Sequence, residues 1–356
     1  VITRDLRLSL ARAAADAGLG TAADPGLRPA GRPGRYASSI ALGHGLDPRE
    51  PAAALAAALS GESSIAQVEV TGPGYLDITI TPEALAAVAA EVSLAGPACV
   101  TSDARRGTTV PAPPPGDPLA TATWNDAQAA LAAALTARLA AAAGAAVADR
   151  RDDEREFVPR PPHHDCEPAA AVAFAGRDAV VFTLARVRPD RPVRVDRQKI
   201  ARHVLANPAY AVRYAHARAA SGMRWAATAP AAVTSGAGAL GGGTLSREAA
   251  ALLDALSWLP ERVATAARRG RPDEFARYLE DLARVTVDCL SSGYPGSDRL
   301  ALASAARTGL AAGLGLLGIS APERLLDSSS RGPGTMAVLA VGLAPGVRGV
   351  APPGDN

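Results

Sequence analysis

Leucine recurs at three- and four-residue spacing in one stretch of this chain after another, and that periodicity limits its possible folds more than any other feature. Leu131, Leu135 and Leu139 fall on one side of a helix. So do Leu252, Leu253, Leu256 and Leu259, then Phe275, Leu279, Leu282 and Val285, and finally Leu310, Leu314 and Leu317. Many intervening positions are alanine, which loses no side-chain entropy on entering a helix. Aromatic side chains make up only 4% of the 356 residues, too few to furnish the bulky faces of a β-sandwich. The expected fold is mainly α.

Start and stop signals place the helices. Asn207 precedes Pro208, an N-cap followed by a proline whose missing N–H would have lacked a partner in the first turn. Ser246 starts a helix that Pro260 ends, Asp273 opens another, and Asp298 opens the last, which runs toward Gly318 and Pro322. Asn125 is placed to cap the Leu131 helix and Gly144 to close it.

The first 95 residues read differently. Leu6, Leu8, Leu10, Ala14 and Leu19 suit a first helix closed at Gly18 or Gly20, and Tyr36 to Leu42 and Pro48 to Ser60 read as two more, with Pro51 in the first turn of the latter. Ile65, Val68, Val70 and then Tyr75, Ile78, Ile80 alternate as strands around a Thr71-Gly72-Pro73-Gly74 turn. The expected organisation is an α+β N-terminal module over 1–95 and a reduced middle region over 96–175, whose Pro, Gly, Ser and Thr content at 96–123 is linker chemistry. A C-terminal helical bundle follows over 176–326, then a disordered tail over 327–356.

A formal net charge of +2 excludes a uniformly basic nucleic-acid coat and leaves room for a local stripe. Lys199 is the sole lysine, so the cations are arginines, whose planar forks suit phosphate and base faces. Cys99, Cys166 and Cys289 are odd in number and widely spaced, unlike a disulfide framework, which fits a cytoplasmic protein. The N-terminus has no apolar signal region. The apolar run from Met336 to Val347 is interrupted by Gly342 and Pro345 and is too short to span a bilayer, so no membrane is expected.

Several local patterns compete. Gly236 to Gly241 matches G-x-G-x-x-G, but without a preceding strand it reads as a loop between helices. His163-His164-Asp165-Cys166 offers metal-ligand atoms without the second spaced pair that structural zinc wants, so no metal is expected. Cys289, at helical spacing from Val285, reads as core, and the mixed charges from Arg150 to Glu156 read as solvated surface. The Asn207 helix is more informative. Val212, Ala215, Ala219 and Met223 give it an apolar stripe, while Arg213, His216 and Arg224 share a polar face and Tyr210 and Tyr214 lie one turn apart. Aromatic rings beside guanidinium groups suit unpaired bases and phosphates of RNA.

The string Asn207-Pro208-Ala209-Tyr210-Ala211-Val212-Arg213-Tyr214-Ala215-His216-Ala217-Arg218 resembles the opening helix of the anticodon-binding domain of the arginyl-tRNA synthetase family. Phe275 to Ala283 and Gly313 to Arg324 are similar to later parts of that domain, and Gly34 to Leu42 and Gly72 to Ile78 to the family's N-terminal domain. Asp77 stands where the family has asparagine, and Leu325 where it has methionine. Pro111 to Thr123, followed by Asn125 and the Leu131 helix, resembles a worn copy of the region around the family's HIGH motif. Both its histidines are absent, and Lys199 does not sit in a KMSKS-like loop. The resemblance implies tRNA contact through Tyr210, Arg213, Tyr214, His216, Arg218, Arg224, Arg307 and Arg324, with no catalytic residue and no cofactor. The leading expectation is a non-catalytic synthetase-like paralogue that binds tRNA. The alternatives are a regulatory partner of a full-length aminoacyl-tRNA synthetase and residual arginine-tRNA ligase activity.

Overall fold

The computed structural model describes residues 2–20, 25–43, 47–148, 167–227, 245–292 and 296–325, with Leu240. The G-x-G-x-x-G pattern, the His163 to Cys166 cluster, the Arg150 to Glu156 run and the tail from 327 lie outside the described residues. The fold is mostly helical with a small antiparallel sheet.

The N-terminal module opens with α1 (Ile2–Asp16), which buries Ile2, Leu6, Leu10, Ala13 and Ala14 along one stripe and ends before Gly18 at φ 70°. Leu8, expected on that stripe, is 53% exposed. Four strands follow, β1 (Arg28–Pro29), β2 (Arg35–Ser38), β3 (Ile65–Thr71) and β4 (Tyr75–Ile80), in the order β1-β2-β4-β3. Tyr36 to Leu42 is therefore not a helix. Tyr36 and Ser38 point inward and Ala37 the other way, a period of two that pairs them with Ile78 and Leu76 of β4, and only a 3₁₀ turn at Ile40–Gly43 follows. The second expected helix is present as α2 (Arg49–Leu59). The β3–β4 turn depends on Gly74, at φ 132°, where a Cβ would come 2.8 Å from the Pro48 carbonyl oxygen.

Next come α3 (Pro82–Ala95), capped by Thr81, and a 3₁₀ turn at Gly96–Val100 that buries Cys99 and Val100. Pro82–Val100 is the one described helical stretch long and apolar enough to cross a bilayer by composition, and here Leu85, Val88, Ala89 and Val92 face the protein core.

The middle region holds more structure than a linker. β5 (Thr109–Pro111) and β6 (Ala146–Ala148) pair in parallel across α4 (Trp124–Ala142), a single strand-helix-strand unit. Thr123, not Asn125, caps α4: its backbone is extended, and its hydroxyl accepts from the Asp126 N–H at 3.2 Å. The helices α5 (Pro168–Ala175) and α6 (Arg177–Ala185) break at Gly176, φ 85°. The short α7 (Arg197–Ile200) is capped by Asp196.

The bundle comprises α8 (Pro208–Ala227), α9 (Arg247–Ser257), α10 (Leu259–Arg269), α11 (Pro272–Ser291) and α12 (Gly296–Leu316). Asn207 sits at the expected start of α8, but its side-chain amide donates to the carbonyls of Ile200 and Arg202, both at 2.8 Å, tying the α7 turn to the helix. Pro260 falls inside the first turn of α10, which follows α9 almost without a gap.

The N-terminal module docks directly on this bundle. Tyr36 donates its hydroxyl to Asp254 Oδ1 at 2.7 Å, the Gly34 N–H reaches the same oxygen at 3.2 Å, and Arg7 Nε meets Glu261 Oε1 at 2.8 Å. Thr3 donates to the Ser257 carbonyl, and the Tyr36 ring lies 5.6 Å from Trp258. With α3 packed on α9 and α12, and α4 on α10, buried residues of all three regions form one hydrophobic core.

Candidate nucleic-acid interface

The long helix α8 carries most of the residues singled out from sequence, and its neighbours decide which of them face solvent. Its apolar stripe is buried as the spacing requires: Val212, Ala215 and Ala219 lie against α11 and α12. Cys289 of α11 belongs to the same core, and burial pushes its thiol up to about 11, which leaves it protonated and inert.

On the polar side, helix and chain terminus meet. Gly318, at φ 71°, closes α12 with the Ile319 N–H returning to the Leu314 carbonyl at 3.0 Å, and Ile319 folds back into the core. This turn sends residues 320–325 across α8. Arg213 Nη2 then lies 3.3 Å from Ser320 Oγ and 3.4 Å from Asp178 Oδ2 of α6. His216 Nδ1 is 2.9 Å from the Pro322 carbonyl oxygen. Arg224 Nη1 reaches the Glu323 carbonyl oxygen at 2.9 Å, and Arg307 Nε of α12 reaches Glu323 Oε1 at 2.8 Å. Arg213, His216 and Arg224, with Arg307 of α12, are thus gathered around a segment of the chain itself.

His216 is only 2% exposed, so its ring presents no open face. Burial lowers its pKa below the ordinary imidazole value, against the opposing pull of the Pro322 carbonyl and Glu323. Glu323 is held below the usual carboxylate range, first by its hydrogen bond from Arg307. Arg218 is half-buried, with Nη2 3.1 Å from Ser291 Oγ, and Arg324 is exposed with no partner among the described residues.

Tyr210 and Tyr214 are half-buried and face a third ring not singled out from sequence. His203 stacks on Tyr210 at 5.4 Å between centroids, and Tyr210 on Tyr214 at 6.0 Å. Burial raises the Tyr210 phenol, keeping it a neutral donor. In sequence, His203 ends a strongly basic stretch. Arg191, Arg194 and Arg202 are exposed without ion-pair partners among the described residues, whereas Arg188 pairs with Asp190 and Lys199 with Asp196. A cavity of about 350 Å³ opens there, lined by Phe182, Arg186, Lys199, Ile200 and Arg202. The signal available in sequence was the density of cations between Arg186 and His203, which the near-neutral total charge conceals.

The region resembling a nucleotide site has a different electrostatic character. At the N-terminal end of α4, Thr123 donates to Asp126 Oδ2 at 2.7 Å, and in the preceding loop Asp117 forms a two-point pair with Arg177 at 2.8 and 2.9 Å. Asp117 is held below the usual carboxylate range mainly by Arg177. Asp126 places a carboxylate in the first turn of α4, where a helix end would otherwise attract phosphate. Asp77 pairs with Arg35 across the sheet at 2.7 Å. Among the described residues no group of three or more His, Cys, Asp or Glu converges in a metal-like arrangement.

Parts of the chain match known proteins. Residues 212–325 match the DALR anticodon binding domain. The chain is 35% identical over 170 residues to the arginine–tRNA ligase of Micrococcus luteus, covering 43% of this chain and 30% of that protein. It is 36% identical over 166 residues to that of Kineococcus radiotolerans, covering 43% and 29%. It therefore spans less than a third of the length of these curated relatives. A solved arginyl-tRNA synthetase from Campylobacter jejuni aligns at a TM-score of 0.40 and 18% identity, over 56% of this chain and 44% of that one.

Proposed function

We propose that this arginyl-tRNA synthetase-like protein, carrying a DALR anticodon-binding domain, binds tRNA and does not charge it. The observation that carries the binding half is the DALR match over 212–325, joined to an aromatic ladder of His203, Tyr210 and Tyr214 that begins at the end of a stretch exposing Arg191, Arg194 and Arg202. Stacked rings take unpaired bases, and adjacent guanidiniums take the intervening phosphates.

The non-catalytic half draws support from the middle region. Class I adenylation stabilises charge building on an ATP phosphate, which needs donors held at the carboxyl ends of a parallel sheet. Between the N-terminal module and the bundle, the described residues offer one parallel strand pair and a helix end carrying Asp126. Such a site repels the triphosphate it would have to hold. The only lysine of the sequence, Lys199, pairs with Asp196 in the basic stretch.

Fluorescence titration of the full chain with labelled total tRNA tests the proposal. Binding is expected at low salt and should weaken steeply as salt rises, as phosphate contacts require. No binding at low salt refutes the first half. Arginine-dependent exchange of pyrophosphate into ATP refutes the second.

A further inference from the structure

Two arginines from different helices converge on one carboxylate at the end of the bundle. Arg224, in the last turns of α8, donates to the Glu323 main-chain carbonyl at 2.9 Å and lies 3.4 Å from its Oε2, and Arg307 of α12 lies 2.8 Å from Oε1. The three side chains remain 38%, 40% and 47% exposed, so the cluster opens to solvent. Glu323 does not belong to either helix. It arrives on the terminal segment, which Arg213 holds at Ser320 and His216 at Pro322. Beside the pair, Trp225 is 79% exposed and Arg324 projects outward. Three guanidiniums against one carboxylate leave an excess of positive charge there.

We infer that Arg224 and Arg307 form a subsite for an RNA phosphodiester, which Glu323 fills as an anion supplied by the chain itself when RNA is absent, with Trp225 the adjoining platform for a base. The inference rests on the tRNA-binding reading and names the group bound and its internal competitor. Guanidinium groups donate to a phosphate as they do to a carboxylate. Solvent-exposed ion pairs are weak, so a polyanion that gains from counterion release can displace one. An exposed indole next along α8 from Arg224 offers an unpaired base a stacking surface.

The test is a titration of labelled total tRNA against the parent chain, Glu323→Gln, Arg307→Gln and Trp225→Ala, each over a salt series and each with a thermal melt. Glu323→Gln keeps the side chain's shape and removes the competing charge, so binding should tighten about two- to fivefold, the worth of an exposed ion pair. Arg307→Gln should weaken binding and make the salt slope shallower by about 0.7, one single-strand phosphate. Trp225→Ala should weaken binding with little change in slope. A Glu323→Gln protein that binds RNA more weakly and also melts lower makes the carboxylate a structural brace and overturns the inference. Equal affinity of all four proteins overturns the subsite while leaving tRNA binding intact. Binding by Glu323→Gln alone supports the inference, and binding by none removes both it and the proposed function.

Discussion

Replacing Arg7 with alanine tests whether the N-terminal module and the helical bundle form one structural unit. Arg7 of α1 meets Glu261 of α10 through two parallel bonds, across 254 positions of sequence, with side-chain exposures of 17% and 6%. Losing the guanidinium leaves a carboxylate almost fully enclosed and without its charge partner. Breaking a buried pair from one side costs about 3–5 kcal/mol. Because Arg7 keeps some contact with water and its removal admits more, a loss of about 2–4 kcal/mol is the better expectation. Urea denaturation read by far-ultraviolet circular dichroism and by tryptophan fluorescence measures it, since Trp258 lies in this interface against Tyr36. Both probes should shift together. Glu261→Gln combined with Arg7→Ala should cost less than the two changes summed, because each removes the same interaction. A loss below about 0.5 kcal/mol, the scale of a surface pair, refutes the reasoning. So does a parent chain that unfolds in two separate steps.

Tyr36→Phe removes the hydroxyl that Asp254 accepts at the same interface, and should cost about 1–3 kcal/mol by equilibrium denaturation at neutral pH. Asp254 is itself held above the ordinary carboxylate range by burial, so the penalty should shrink in acid, where its protonated carboxyl needs no donor. Burial lowers the His216 pKa, so the unfolded chain takes up a proton first as pH falls below about 6.5. Stability should therefore decline from there and level off once the folded ring protonates as well, and His216→Asn should flatten that part of a melting-temperature profile. Gly74→Ala forces a side chain into a φ of 132° and against Pro48, and should destabilise by about 1–3 kcal/mol in the same denaturation assay.

The bundle was legible because its signals are local. Leu252, Leu253 and Leu256 are fully buried, as are Leu310, Leu314 and Leu317, and a helix stripe depends on little beyond its own spacing. The hairpin of β3 and β4 was legible for the same reason, through alternation and a glycine turn. Tyr36 to Leu42 misled because β2 is only four residues long and owes its conformation to β4, a partner some forty residues away. The middle region misled for a related reason. β5 and β6 are three residues each, and only their pairing across α4 makes them strands. At the site, helical spacing set Arg213, His216 and Arg224 on one polar face, although His216 is in fact buried. It could not reveal that Ser320, Pro322 and Glu323 complete the group, because the return of the chain past Gly318 is a tertiary event.

The consequence for RNA contact lies in how the three regions share their core. If the N-terminal sheet and α8 were joined by a linker, each could find its own place on a tRNA, and the second contact would be governed by tether length. Here Tyr36, Arg7 and Thr3 anchor the sheet and α1 to α9 and α10, while α4 fills the space against α10 and α6. The distance between the sheet and the His203–Tyr210–Tyr214 ladder is therefore fixed before any ligand arrives. Under the proposed function, a tRNA touching both surfaces must fit that distance, and one that cannot will be held by the ladder alone. Loosening the interface with Arg7→Ala under conditions where the chain stays folded separates these cases. Unchanged tRNA affinity assigns binding to the bundle, whereas a loss in step with the interface means that the fixed spacing contributes to recognition.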